Sequence, residues 1–335
     1  MRAALMFLRG AGSRLLAPLA GWLGLALLFG VPAAHAQTYP TRAIKLIVPY
    51  APGGGTDNLA RLIAPKMSES LGQQVVIENR PGASGNIGYE LAAKAAPDGY
   101  TLTMVDTSYM TNPSLFAKLP IDFDKDLIPL SLLASGPVIL VVHPSLPASS
   151  VKELIALAKA QPGKLNFASG GNGSSTHLGG ELFKLVAGVD ILHVPYKGTG
   201  AAVNDLLAGQ VTIMFAGISQ VRGAVEGGTL RGLAVTGTTR APAMPSVPTF
   251  DELDITGVDS STLWGTMAPA ALPRALAQRL NAELVKAVRA PDLKDRLVDL
   301  GYTPIGSSPE EFGKILRGET EKWAGVIKRA GITPD

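Results

Sequence analysis

The 335-residue chain contains no cysteine. That excludes a disulfide framework, thiolate chemistry and lipid attachment through a thiol. Histidine is scarce, with four residues, and the spacing of His143, His177 and His193 resembles no zinc set. The segment Gly82-Ala83-Ser84-Gly85 comes near a nucleophile elbow and fails at its fifth place. No Walker A loop, H-E-x-x-H pair or clean G-x-G-x-x-G accompanies it. General bases and nucleophiles are therefore few, which favours a binder over an enzyme, with no metal and no cofactor expected. Aromatic content is low at 6%, ordinary for an α/β protein rich in Gly, Ala and Val.

Excess charge is also lacking once the ends are considered. Arg2, Arg9 and Arg14 begin a segment that is almost wholly apolar from Leu15 to Val31. Ala34-His35-Ala36 then forms an A-x-A cleavage site before Gln37, so residues 1–36 read as a secretory signal peptide. A membrane anchor is the competing reading of the long apolar run. The cleavage site directly after it, with no stop-transfer basic cluster, favours a soluble periplasmic protein that is not a lipoprotein. Of 30 basic residues, three lie in this segment, which leaves 27 against 27 acidic ones. A mature charge near zero offers no footprint for nucleic acid or for an anionic membrane.

What is present is one local plan used twice. A hydrophobic strand runs into a glycine-rich loop that opens a helix, first over Leu46 to Asp57 and again over Leu165 to His177. Helix N-termini carry unpaired N–H groups and partial positive charge, so each loop is a potential anion cradle. Strand and helix patterns alternate around them. Ile44 to Val48, Val75 to Glu78 and Thr101 to Val105 read as strands separated by helices, with Pro65 bending or restarting the first helix. Val138 to Val142, Leu165 to Ala168, Ile191 to Val194, Val211 to Phe215 and Gly232 to Val235 repeat the pattern. Thr262 to Ala268 reads as a strand returning to the first half. Capping boxes at Ser150 and Ser308 open helices. The expected fold is two Rossmann-like α/β domains with parallel sheets, 37–138 plus 260–335 and 139–259, joined by crossing strands near 135–140 and 255–262. Ligands of such sheets sit beyond the strands' carboxyl ends, hence in the cleft between lobes.

The candidate ligand-binding residues follow from that placement. The first loop offers Tyr50, Ala51, Gly53, Gly54, Thr56 and Asp57, with Asp57 either ordering the ligand or capping the helix. The second offers Ser169, Gly170, Gly173, Ser174, Ser175 and His177, neutral donors for an oxyanion, with His177 either touching the ligand or holding the helix start. Asp106, Ser108 and Tyr109 follow the third strand, and Tyr196 and Lys197 leave another. Lys197 is either a cleft cation or a solvated charge. Asp106 stands out, because a carboxylate beside an anion requires a complementary donor. It either selects a ligand with a positive or hydrogen-donating group beside its carboxylate, such as an amino acid or nitrogen-heterocycle acid, or caps a turn or pairs with Lys197.

The segments Pro49 to Asp57, Glu78 to Ala83, Pro97 to Tyr100, Asn112-Pro113, Val194 to Gly198, Asp205 to Val211 and Trp264-Gly265 with Ala268-Pro269 occur in one order. In this the chain resembles the Bug-type periplasmic substrate-binding proteins of tripartite tricarboxylate transporters, over nearly the whole mature length. The resemblance implies a two-lobed, Venus-flytrap receptor that closes on a small carboxylate through backbone amides and ordered waters, and delivers it to membrane permease subunits. A sensor feeding a signalling receptor and an exported hydrolase are the alternatives. Two departures, Asp106 at a commonly small neutral polar position and Ile218-Ser219-Gln220 where proline is frequent, put the usual dicarboxylate ligand in question.

Overall fold

A computed structural model describes residues 39–333. The expected signal peptide, residues 1–36, lies outside the described residues. From residue 42 onward the chain forms one compact unit.

Strands β1 (Ile44–Val48), β2 (Val75–Asn79) and β3 (Thr101–Val105) alternate with helices α1 (Gly55–Leu71) and α2 (Asn86–Ala93), and α3 (Thr107–Leu115) follows. Next come β4 (Leu127–Val142), α4 (Val151–Ala160), β5 (Asn166–Ser169), α5 (Ser175–Ala187), β6 (Leu192–Pro195) and α6 (Thr199–Leu207). Then β7 (Ile213–Gly217), α7 (Ile218–Glu226), β8 (Arg231–Val235), β9 (Ser261–Pro269), α8 (Arg274–Arg289), α9 (Pro291–Asp299), β10 (Thr303–Pro304) and α10 (Pro309–Ala330) complete the order.

The α/β architecture is mixed, and its strands join in one path, β2-β1-β3-β9-β4-β7-β5-β6. β1 runs parallel to β2 and β3, and β5 runs parallel to β6 and β7. The centre is antiparallel: β9 lies between β3 and β4, while β4 also pairs with β7 and β8. β4 is the connecting element. Its residues 127–137 pair with β9, and from Val138 onward it pairs with β7 and β8.

β4 is much longer than the expected strand over 138–142, spanning 16 residues. Pro129, Gly136 and Pro137 hide it in the sequence, since each disfavours a strand interior. The ladder accommodates the irregular stretch with register shifts between Pro129 and Ser131 and between Leu132 and Ala134. Pro65 neither breaks nor restarts α1, which runs through it to a left-handed Gly72 cap.

Buried side chains gather on both halves of the sheet. Ile47, Tyr89, Val105, Tyr109, Met267 and Phe312 pack together on the first half. On the second, Phe167, Phe183, Phe215 and Phe250 anchor a cluster that Trp323 and Ile327 join. Helix α10 thus contributes Phe312 to one core and Trp323 to the other.

Candidate functional site: a cleft lined by five helix starts

A narrow cleft with about 40 Å³ of free volume lies where the helix N-termini converge. Five helices begin on its wall. Gly54 precedes α1, Asp106 precedes α3, Ser174 precedes α5, Gly198 precedes α6 and Gly217 precedes α7, and all five residues line it. This follows from chain direction: β1, β3, β5, β6 and β7 all deliver their carboxyl ends here.

The helix starts are not equivalent. Asp106 caps α3 by accepting Ser108 N–H, and Ser174 caps α5 by accepting His177 N–H. Ser174 Oγ also donates to Gly171 O at 2.7 Å, and Gly170 N–H donates to Thr176 Oγ1 at 2.9 Å. In contrast, α1 and α6 begin at glycines and have no side-chain cap. Their first-turn N–H groups, which no helix can pair internally, face a cleft without a resident acceptor at the cap position.

These uncapped starts meet backbone against backbone. Ala51 N–H donates to Lys197 O at 3.3 Å. A Cβ on Gly200 would lie 2.8 Å from Pro52 O and 3.0 Å from Gly53 C, so only glycine permits this approach. Gly170 comes as close from the second loop, where a Cβ would lie 2.6 Å from Thr199 Cγ2. Gln220 ties α7 to α6: its Oε1 accepts Gly217 N–H at 3.0 Å and its amide donates to Thr199 Oγ1.

Asp106 carries the only charged side chain of the lining. Tyr50 O–H donates to its Oδ1 at 2.7 Å, Ser108 N–H to Oδ1 at 2.9 Å, and Thr56 O–H to Oδ2 at 3.1 Å. Trp264 Nε1 in turn donates to Thr56 Oγ1 at 3.2 Å. The register of β3 on β9, Val105 opposite Gly265, sets Asp106 beside Trp264 across 158 residues of sequence. Burial raises the Asp106 carboxyl above the usual aspartate range, against the three hydrogen bonds that favour its charge.

Of the residues expected at the site, Tyr50, Gly54, Thr56, Asp106, Gly170, Ser174 and Ser175 line the cleft. The others stand behind or outside it. Asp57 braces the first loop: its carboxylate accepts Gly53 N–H at 3.0 Å, Arg61 Nε at 2.8 Å and Asn79 Nδ2 at 2.9 Å. Burial opposes its charge, and these bonds outweigh that and lower its pKa. Gly53 supplies the left-handed turn at φ 87° and Ala51 the backbone bond to Lys197. Ser108 is buried beside Asp106, and the Tyr109 hydroxyl donates to Phe123 O at 2.6 Å, within the first core. Ser169 Oγ pairs with His193 Nε2 at 2.6 Å, and Gly173 contacts Thr111.

His177 holds the second loop from behind. Its Nδ1 accepts Gly173 N–H at 3.1 Å, and its ring stacks on His193 with centroids 3.9 Å apart. Burial, with His193 and Lys184 nearby, depresses its pKa to about 2. Tyr196 turns to its own helix, donating to Asp205 Oδ2 at 2.7 Å, and Lys197 is exposed. No pair forms between Lys197 and Asp106, whose oxygens are taken by Tyr50, Ser108 and Thr56.

Sequence reasoning missed Gly198, Thr199, Gly217, Thr262 and Trp264 on the wall. A glycine between strand end and helix start was the available signal for Gly198 and Gly217.

The family profile described as the tripartite tricarboxylate transporter family receptor matches residues 59–332. The chain belongs to this receptor family. BugT of Bordetella pertussis is 37% identical over 322 residues, 95% of this chain and 98% of its own. A Pseudomonas sp. (strain P51) protein from the tcbD-tcbE intergenic region is 40% identical over 91% of this chain and 92% of its own. Among solved structures, R. palustris Rpa4515 with adipate has a TM-score of 0.86 at 36% identity, covering 89% of this chain and all of that one. MatC from Rhodopseudomonas palustris with bound malate has a TM-score of 0.82 at 33% identity, covering 86% of this chain and all of that one. This receptor therefore shares its fold with periplasmic binding proteins. No helix among its described residues is long and apolar enough to cross a membrane.

Proposed function

We propose that the chain is a periplasmic receptor that captures a small organic carboxylate in the cleft and delivers it to the membrane subunits of a tripartite tricarboxylate transporter. The observation that carries this reading is the convergence of α1 and α6, two helix starts left uncapped by glycine, on one polar cleft. A carboxylate seated there receives backbone N–H bonds and the favourable ends of two helix dipoles, with no arginine needed. The adipate and malate held by structurally similar receptors support the ligand class. Export rests on the signal peptide read from residues 1–36.

Capture proceeds by closure of two lobes, 37–138 with 260–335 against 139–259. The hinge is β4 at Pro137–Val138, where its pairing partners change, and the return into β9 at Ser261. Ligand favours the closed form through contacts that only closure assembles. Thermal-shift screening of the mature chain against carboxylates is the test. A ligand at a hundredfold its dissociation constant adds about 2.7 kcal/mol. No stabiliser among small organic acids, or chemical turnover of one, contradicts the reading.

A further inference from the structure

We infer that Thr199 gives a side-chain hydrogen bond to the ligand's carboxylate, and that Gln220 is the positioning residue that leaves the Thr199 proton free for it. This rests on the receptor reading and deepens it, because it names the side chains that recognise the carboxylate.

A backbone N–H only donates, so the Gln220 atom 3.0 Å from Gly217 N is its carbonyl oxygen, Oε1. The amide NH2 at the other corner also only donates, and Thr199 Oγ1 receives it. A hydroxyl carries one proton and two lone pairs. Thr199 accepts from Gln220 with a lone pair and retains its proton for another partner. Neither side chain titrates, so the direction of this bond does not depend on pH.

Position directs that proton to the cleft. Thr199 opens α6 directly after the uncapped Gly198, and both line the cleft. Its methyl group is held by the second loop, where a Cβ on Gly170 would lie 2.6 Å from Thr199 Cγ2. Its hydroxyl is held against the start of α1, where a Cβ on Gly54 would lie 3.1 Å from Thr199 Oγ1 and 3.8 Å from Thr199 N. The hydroxyl thus stands where the two uncapped helix starts meet, beside first-turn N–H groups that have no partner within their helices. A carboxylate seated on those groups finds the Thr199 proton next to them. The Gly217 N–H, by contrast, is taken by Gln220 and withdrawn from the ligand.

Gln220→Glu separates this role from a structural one. At the third residue of α7 a glutamate completes a capping box as a glutamine does, and its charge suits a helix start. One carboxylate oxygen still accepts Gly217 N–H. The other stands where the NH2 stood and only accepts, so the Thr199 proton turns to it and away from the ligand. Affinity is lost while the fold keeps its stability.

Calorimetric titration of the mature chain with short mono- and dicarboxylates, malate and adipate among them, supplies the native affinities. With the tightest of the series, Thr199→Val should bind at least about tenfold more weakly, and Thr199→Ser within about threefold of native. Gln220→Glu should also bind at least about tenfold more weakly, with a denaturation midpoint no lower than native. Gln220→Met removes both amide bonds. It should weaken binding when alone and add nothing alongside Thr199→Val, because it acts through that hydroxyl. Native affinity in Thr199→Val or in Gln220→Glu, or additive losses for Thr199→Val and Gln220→Met, overturns the inference and leaves the receptor reading standing. Binding of none of the series by the native protein overturns the receptor reading, and this inference falls with it. If Gln220→Glu fails to fold, the Thr199 variants and the double variant decide.

Discussion

Thr56 is the residue on which the polar wall depends. Its hydroxyl links Trp264, on β9, to Asp106, ahead of α3. Thr56→Val keeps the shape and deletes the link, leaving a buried indole N–H and a carboxylate oxygen short of partners. We expect a loss of about 1–3 kcal/mol in chemical denaturation, together with weaker ligand binding in calorimetry. An unchanged midpoint would show that the link is not structural.

His177 makes a separate contribution, to the second loop. Buried and neutral, it binds protons more weakly in the fold, with a pKa near about 2, than in the unfolded chain at 6.5. A depressed folded pKa gives stability that is present above the unfolded value and is lost as pH falls from there toward the folded one. The loss is about 1.4 kcal/mol per pH unit from this group. His177→Asn offers an amide oxygen to Gly173 N–H and does not titrate. Its denaturation free energy should therefore fall less steeply than the native protein's between pH 6 and pH 4. Parallel slopes would assign the acid sensitivity to other groups.

At the scale of elements, the approach of α6 to the first loop sets the geometry of the two uncapped helix starts. Gly200→Ala raises helix propensity by about 1 kcal/mol, so propensity alone predicts a more stable protein. The new Cβ would lie 2.8 Å from Pro52 O, which is backbone and cannot yield by rotating a side chain. The contact should win: α6 is pushed from α1, and carboxylate affinity measured by calorimetry drops by tenfold or more, about 1.4 kcal/mol. Full affinity in this variant would mean that the two helix starts do not act together.

Much of the element pattern was legible because its causes are local. The apolar run that gives β1 over Ile44–Val48, the Ser150 cap and the capping box at Ser308 are visible within a few residues. Glycine-rich loops after β1 and β5 pointed to two of the five helix starts for the same reason. The long β4 was not legible, since Pro129, Gly136 and Pro137 contradict strand propensity and only its partners on both edges hold it. Nor was the pairing of Trp264 with Thr56, which arises from the antiparallel register of β9 on β3 and from no nearby pattern. Thr199 stands where a strand visibly enters a helix, but its place on the wall comes from the close approach of α6 to Pro52, which no local pattern shows.

For the whole molecule, a side-chain bond joins elements that the proposed closure would bring together. Thr111 on α3 donates to Gly173 O of the second loop at 2.7 Å. Thr111→Val preserves packing volume and removes that bond, so it should weaken ligand binding by about 0.5–1.5 kcal/mol, mainly through faster release. Stopped-flow dissociation measures it, and an unaltered release rate would exclude Thr111 from closure. Helix α10 joins the two halves, with Phe312 in one core and Trp323 in the other.

The central claim is that α1 and α6, uncapped at Gly54 and Gly198, seat the ligand's carboxylate. The most direct measurement is a crystal structure of the mature chain with the carboxylate that stabilises it most in the thermal-shift screen. The account predicts carboxylate oxygens about 2.7–3.2 Å from backbone nitrogens in the first turns of both helices. A carboxylate seated at the start of α5 or outside the cleft would contradict it.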